Sequence, residues 1–274
     1  MELMPGIRVL ITTVPGRTSL LRRALASVSA QTEAPNAVVI VCDCGIGPGD
    51  RAAMVEPVTE GLHWLYNPGP PGAANAWNTG IDYIAQNWPD DYLAILDDDD
   101  TWDPDHLAEC MVCAVQAAWP ELVISGLRAW VDGIEQAREP MISVCVSDFL
   151  AGNPGWQGSN TFIRIATLLR AGRFTAGLTS CNDRDLAIRV LSLDGVRPAF
   201  TGRHTVNWHH DHGRTSLSSM GSASKLDGLA RFHQLHGWRM VPEIEARFFN
   251  RARDLFGLPR DLILQRQKEL DHAP

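Results

Sequence analysis

Hydrophobic residues fall into two alternating patterns along the first half of the chain. Ile7 to Thr12 reads as a buried run, Ala37 to Cys42 is a continuous apolar one, and Leu62 to Tyr66 and Tyr92 to Leu96 are shorter runs of the same kind. Runs of this length without strict alternation predict strands covered on both faces. Between them the period changes. Leu21, Ala24, Leu25 and Val28 share one helical face behind Thr18, a residue able to cap a helix. Ala73 to Trp88 repeats the helical pattern despite Gly80, and Asp105 to Ala118 does so again. Strand and helix in alternation predict an α/β fold with a mostly parallel sheet flanked by helices. In such sheets ligands bind beyond the carboxyl ends of the strands. Thr12, Thr13, Asp43, Asn67 and the aspartates from Asp97 all follow predicted strand ends, so they are expected to line one crevice.

The second half is less regular. Leu122 to Val131 is strand-like, and Gly152 to Thr161 has the Gly, Asn and Pro content of a loop. Asp183 to Leu193 is helical in pattern, and Val196 to Trp208 suggests one or two strands. His209 to Ser224 is polar with Gly and Ser throughout, which predicts a mobile segment, with His209 to Ser222 a candidate lid. Two or three helices are expected from Lys225 onward.

Composition narrows the function classes. At 274 residues the chain can bury a sizeable core, and its 45% hydrophobic and 20% charged residues are ordinary for a globular protein. The formal charge of −8 argues against a broad nucleic-acid surface, which needs a basic stripe. No run approaches the roughly 18 apolar residues of a membrane span, and the N-terminus lacks signal-peptide character, so a cytoplasmic protein is expected. Six scattered cysteines are expected to be reduced, with Cys110 and Cys113 more plausibly buried small hydrophobes than zinc ligands.

The sharpest local feature is Asp97-Asp98-Asp99-Asp100 at a strand end, followed by Thr101-Trp102. Carboxylates about 4 Å apart repel by roughly 1 kcal/mol per pair even in water, and by more beside a low-dielectric core. A hard divalent cation, Mg²⁺ or Mn²⁺, would relieve that repulsion and bridge to substrate phosphates; a solvated acidic turn is the plainer reading. Trp102 stands where an EF-hand needs glycine, and neither a P-loop nor a G-x-G-x-x-G fingerprint is present. A second acidic block, Asn182-Asp183-Arg184-Asp185 with Arg189, opens a predicted helix. Asp183 is either a cap or a base facing the crevice, and Asp185 with Arg189 reads as an ordinary surface pair. His209, His210 and His212 with Arg214 form a third polar cluster, either a metal- and phosphate-binding segment or a plain surface loop.

Together these segments resemble the inverting family 2 glycosyltransferases, which have the GT-A fold. The similar stretches are Thr13 to Arg17 with Leu21, Ala24, Ser27 and Gln31-Thr32; Val41 to Gly45; Gly72 to Gly80; Leu96 to Pro104, which matches the family's DXD segment; and Gly172 to Phe174 with Leu178, Asn182-Asp183, Asp185-Leu186 and Arg189. Departures are Cys44 for a second aspartate, Trp77 for an arginine, Thr175-Ala176 for an acidic pair, and Asn182 for a glutamate.

The resemblance implies a hexosyltransferase-like enzyme with a Rossmann-like sheet. It places a nucleotide-sugar-binding half over residues 1–104, an acceptor-binding half over 105–222 and a C-terminal helical extension over 223–274. A UDP-, GDP- or dTDP-sugar donor would contact Thr12, Thr13, Pro15, Arg17, Asp43, Asn78, Asp97, Asp98 and Arg214. Asp99 and Asp100, with His210 or His212, would hold Mn²⁺ or Mg²⁺. Asp183 would be the general base, and Trp156, Gln157, Ser159 and Asn160 would line the acceptor side. A small-molecule acceptor is expected, and the C-terminal helices could pair two copies as a homo-oligomer. The rival readings are a nucleotidyltransferase acting on a sugar phosphate and a non-catalytic nucleotide-sugar-binding protein.

Overall fold

The computed structural model describes residues 4–43, 61–210 and 220–271. The parallel half of the sheet is β1 (Ile7–Thr13), β2 (Ala37–Cys42), β3 (Leu62–Tyr66) and β4 (Tyr92–Asp97), in the order β3-β2-β1-β4. The sheet continues from β4 through β8 (Thr161–Arg164), β6 (Leu122–Val131) and β9 (Pro198–His210) to the two-residue β5 (Thr101–Trp102), and β7 (Ile134–Gln136) pairs with β6. β8 runs antiparallel to both β4 and β6, whereas β9 is parallel to β6. The sheet is therefore mostly parallel, with β8 reversed in its middle and the short β5 and β7 antiparallel to their partners β9 and β6.

The apolar runs form strands because each supplies two cores at once. In β1, Leu10 faces one cluster while Ile7, Val9 and Ile11 face the other. β2 and β4 divide in the same way. One face is covered by α1 (Thr18–Ser29) and α3 (His106–Gln116), through Leu21, Leu25, Leu107 and Cys110. The other carries α2 (Ala73–Asn87), α4 (Val146–Ala151), α5 (Ile165–Arg170) and α6 (Asn182–Leu191), and then α7 (Ala223–His236), α8 (Pro242–Phe256) and α9 (Arg260–Asp271). Leu229, Phe232, Phe248 and Ile263 belong to the same cluster as Leu10 and Val39, so the C-terminal helices share the core of the sheet.

Several expectations change. Two short helices, α4 and α5, and strand β8 are added in the second half. His209 and His210 end strand β9 and Ala223 opens α7, so the expected mobile segment is ordered at both ends; residues 211–219 lie outside the described residues. Cys110 is fully buried and Cys113 half-buried, both as free thiols.

Candidate active site

Register brings the predicted crevice together. Thr12 lies opposite Asp97 across β1 and β4, Thr13 opposite Cys42 across β1 and β2, and Cys42 opposite Tyr66 across β2 and β3. The carboxyl ends of four neighbouring strands thus form one edge. Asp43, just past β2, accepts from Asn67 Nδ2 at 2.7 Å and from the Gly72 N–H at 2.6 Å. It fastens the loop before α2 to the sheet edge. Pro15 is exposed at the mouth of the β1–α1 turn.

The four aspartates differ in what holds them. Asp98 is buried; Thr13 Oγ1 donates to its Oδ2 at 2.6 Å, and Arg17 grips both oxygens, Nε to Oδ2 at 2.9 Å and Nη2 to Oδ1 at 2.6 Å. Arg17 Nη2 also lies 2.7 Å from Asp99 Oδ2. Burial works against the charge on Arg17, but Asp98 and Asp99 outweigh it and hold the guanidinium ionised. Asp100, 1% exposed, accepts from Ser159 Oγ at 2.6 Å and from the His209 N–H at 3.1 Å. Burial and then Asp99 push its carboxyl up to about 8, with Ser159 and His209 opposing. Asp97 has its own backbone N–H on Ser159 Oγ at 3.1 Å. Burial, followed by the neighbouring carboxylates of Asp100, Asp99, Asp183 and Asp98, raises its carboxyl well above the usual range. Arg17 thus neutralises one side of the cluster and Arg23, which donates to the Asp99 carbonyl, opposes the rise at Asp100, yet burial and the neighbouring carboxylates still hold Asp97 and Asp100 above the usual range.

Asp183 enters the same crevice from α6. It stands in the first turn of that helix, after Cys181, whose φ of 67° turns the chain into it. Its carboxylate accepts from the Gly158 N–H. Gly158 also abuts Asp97, since a Cβ there would lie 3.3 Å from Asp97 Oδ1. Burial raises the Asp183 carboxyl to about 6, and Lys225 of α7 is the strongest opposing influence. Lys225 is buried, with its Nζ 4.3 Å from the Phe256 ring centroid and 3.9 Å from Cys181 Sγ. Lys225 and Gly158 were missed in the sequence because no local motif marks either; only the fold places them beside Asp183.

Some predicted residues serve elsewhere. The Asn78 amide is committed to the Phe174 backbone, donating to its carbonyl at 2.8 Å and accepting its N–H at 2.9 Å. Trp77 is buried and stacks on the Phe174 ring at 4.5 Å. Asp185 and Arg189 are not a surface pair. Asp185 is 1% exposed and gathers Arg189 Nη2 at 2.6 Å, Thr175 Oγ1 at 2.7 Å and His236 Nε2 at 2.9 Å. Burial alone would raise its carboxyl, but His236 and Arg189 overcome that and bring it to about 2. Trp156, Ser159 and Asn160 are also buried, so of the four expected acceptor-side residues only Gln157 is partly open. Packing places the other three beneath the surface, with Ser159 supporting the acid cluster from within.

The expected metal ligands are only partly assembled. Asp99 and Asp100 stand side by side on the turn, while the His210 ring stacks on Trp208 with centroids 5.4 Å apart. His212 and Arg214 lie outside the described residues. Among the described residues, no three His, Cys, Asp or Glu side chains converge as a metal-binding group. The chemistry of the donor set nevertheless fits a hard cation. Adjacent carboxylates deficient in positive charge are what Mg²⁺ or Mn²⁺ takes in ones and twos, with phosphate oxygens and water completing the shell.

The aspartate turn and the buried Asp183 carboxylate thus meet at the carboxyl edge of a mostly parallel α/β sheet of the GT-A kind. The chain belongs to glycosyl transferase family 2, whose model matches residues 9–167. That match includes the four aspartates and Ser159 and ends before Asp183. The succinoglycan biosynthesis protein ExoW of Rhizobium meliloti (strain 1021) is 36% identical over 107 residues, covering 38% of this chain and 32% of ExoW. The chain thus spans about a third of that relative's length. Among solved structures, S. aureus TarS 1-349 superposes with a TM-score of 0.62 at 13% identity, over 97% of this chain and 90% of that one. TarS 1-349 in complex with UDP-GlcNAc superposes with a TM-score of 0.60 at 12% identity, over the same shares. These likenesses show the fold. Among the described residues, no helix is long and apolar enough to cross a membrane.

Proposed function

We propose that this protein is a metal-dependent inverting glycosyltransferase that moves a sugar from a nucleoside diphosphate to an acceptor hydroxyl, with Asp183 as the general base. The observation that carries this reading is the meeting of Asp183 with Asp97 across Gly158, within a family 2 chain. Thr12 and Pro15 would face the donor, while Thr13, expected to do so but buried with its hydroxyl given to Asp98, joins Arg17 in fixing the turn on which Asp97 to Asp100 stand. Asp99 and Asp100 would hold Mg²⁺ or Mn²⁺, which when bound supplies positive charge against the leaving diphosphate.

The chain's own contribution is proton removal. A carboxyl at about 6 is ionised near neutral pH, yet is a stronger base than an ordinary aspartate near 3.9. Asp183 takes the acceptor's hydroxyl proton as the oxygen bonds to the anomeric carbon. The bond from that carbon to the diphosphate oxygen breaks, and the nucleoside diphosphate departs with the electron pair. Attack from the face opposite the leaving group inverts the anomeric centre. Because a TarS structure holds UDP-GlcNAc, uridine nucleotides are the first to test.

The test is thermal denaturation with UDP-, GDP-, dTDP- and CDP-sugars, each with and without Mn²⁺ or Mg²⁺. A ligand at 100 times its Kd adds about 2.7 kcal/mol, enough to raise Tm by a few degrees. A shift that requires metal and prefers one base is expected. Absence of a shift with every nucleotide at millimolar concentration overturns the donor site.

A further inference from the structure

Seven of the nine tryptophans lie in the two apolar cores or against them; Trp130 and Trp238 do not. Trp238 is 78% exposed in the turn that follows α7. Trp130, near the end of β6, is only partly exposed, and polar contacts rather than packing hold it. Its indole Nε1 donates to Asn207 Oδ1 at 2.9 Å. Asn207 Nδ2 donates to Asp103 Oδ1 at 2.9 Å, and Arg128 Nη1 donates to Asp103 Oδ2 at 2.6 Å. This network fixes the orientation of the ring. Among the described residues, no second aromatic ring and no cation lies against it.

Register puts the ring on the side of the sheet where the base stands. Trp130 lies opposite His209 of β9 and opposite Glu135 of β7. Directly paired residues share a face, so Glu135, Trp130 and His209 form a row across three strands. Leu127 and Val206, each three residues before a member of that row, face the core beneath α1 and α3. The row is therefore on the other face, which carries α6 and Asp183. His209 ties the row to the acid turn. Its N–H donates to Asp100 Oδ1 at 3.1 Å, and its ring Nε2 is 3.1 Å from Thr101 Oγ1. Asp100 Oδ2 in turn accepts from Ser159 Oγ at 2.6 Å, beside the Gly158 that bonds Asp183. Trp130 thus stands one strand spacing, about 4.8 Å, from the backbone that touches the acid cluster.

A single apolar residue on a surface needs no explanation. A tryptophan pinned by a hydrogen-bonded network next to an acid turn is different, because a ring already fixed in place loses little freedom when a ligand lands on it. A pyranose has a face of C–H bonds that lies flat on an indole and a rim of hydroxyls that needs polar partners. Glu135, with half of its side chain exposed, supplies such a partner at the edge of the ring.

We infer that Trp130 is the stacking platform of the acceptor subsite and that the acceptor is itself a carbohydrate, a pyranoside whose apolar face covers the indole while a hydroxyl meets Glu135. This rests on the glycosyltransferase reading and adds the chemical class of its acceptor.

The experiment is saturation-transfer NMR on the full chain with methyl pyranosides of glucose, galactose, mannose and N-acetylglucosamine, each at millimolar concentration, with saturating UDP and Mn²⁺ to fill the donor site. At least one glycoside receives saturation on its ring C–H protons. Trp130→Ala and Trp130→Leu each weaken its binding about tenfold, whereas Trp130→Phe, which keeps a flat ring, restores most of it. Tm and UDP affinity, measured on the same samples, stay close to wild type, because the ring belongs to neither core. A purely structural tryptophan would instead lower Tm and UDP affinity together in Trp130→Ala, and that result overturns the inference. So does the absence of saturation on every glycoside, or binding that is equal in wild type and both ring-deleting variants. A chain that binds UDP but gives either of these last two results loses only the acceptor inference. A chain that does not bind UDP fails the glycosyltransferase reading, and its glycoside signals still report on Trp130.

Discussion

At Asp183 burial and charge pull in opposite directions. The crevice disfavours its ionised form, while Lys225 and the Gly158 N–H favour it, and the balance lies at about 6. Replacing Asp183 with Asn removes the proton acceptor without changing shape. Transfer should fall by about 10²–10⁴-fold, with nucleotide affinity retained in calorimetry; unchanged turnover would exclude Asp183 as the base. Lys225→Met removes the main opposing charge, so the acidic limb of the kcat profile should move to higher pH. Asp185 behaves differently. Its four partner contacts, from Arg189, Thr175 and His236, make it a buried junction, and Asp185→Asn should cost about 3–5 kcal/mol in denaturant unfolding. The contrast between these neighbours was only half legible. The motif around Asp183 stands in the sequence, but the partner that buries Asp185 is 51 residues away, and i,i+4 spacing with Arg189 looks the same on a surface helix as in a core. The Arg17–Asp98 contact, spanning 81 residues, was hidden for the same reason.

Among the elements, the long ones were readable because one period extends through them. β1 to β4, α1, α2 and α3 each carry enough apolar positions to reveal whether they face one core or two. β5, β7 and β8 are two to four residues long, and α4 and α5 six residues each, less than two helical turns, so none displays its period. β5, β7 and β8 also run antiparallel to their partners, a property set by the neighbouring strands rather than by their own residues. Gly80 illustrates an element-scale constraint. In α2 it lowers helix propensity by about 1 kcal/mol relative to alanine, yet a Cβ at this position would lie 2.2 Å from Leu10 Cδ1 of β1. The helix can approach the sheet this closely only without a side chain. Gly80→Ala should therefore destabilise the protein by about 1–3 kcal/mol despite its better propensity. An increase in the denaturant midpoint would show that Leu10 moves aside and that the approach is not constrained.

For the molecule as a whole, the acid cluster makes stability depend on pH and on cations. Asp100 at about 8, Asp97 well above the usual range and Asp183 at about 6 all exceed the unfolded value near 3.9. The native state then binds more protons than the unfolded one, so these groups favour folding at low pH and lose that contribution as pH rises from about 4 to about 8. Asp185 and His106 act in the opposite sense. Asp185, at about 2, contributes stability above about 4 that disappears as pH falls through 2. His106 is fully buried, its Nδ1 2.8 Å from Thr205 Oγ1, and burial lowers it to about 3; its contribution is complete above about 6.5 and is lost on acidification toward 3. The metal-free protein should therefore melt highest on the acid side of neutrality, and its Tm should fall between pH 6 and 8. Mn²⁺ or Mg²⁺ replaces protons as the counter-charge for these carboxylates, so adding either should flatten the alkaline limb, and chelation should restore it. Calorimetric scans from pH 4 to 9, with and without the cation, check this. A metal-free Tm that is level from pH 6 to 8 would mean that the cluster already carries enough positive charge, and the case for a cation at Asp99 and Asp100 would fall with it.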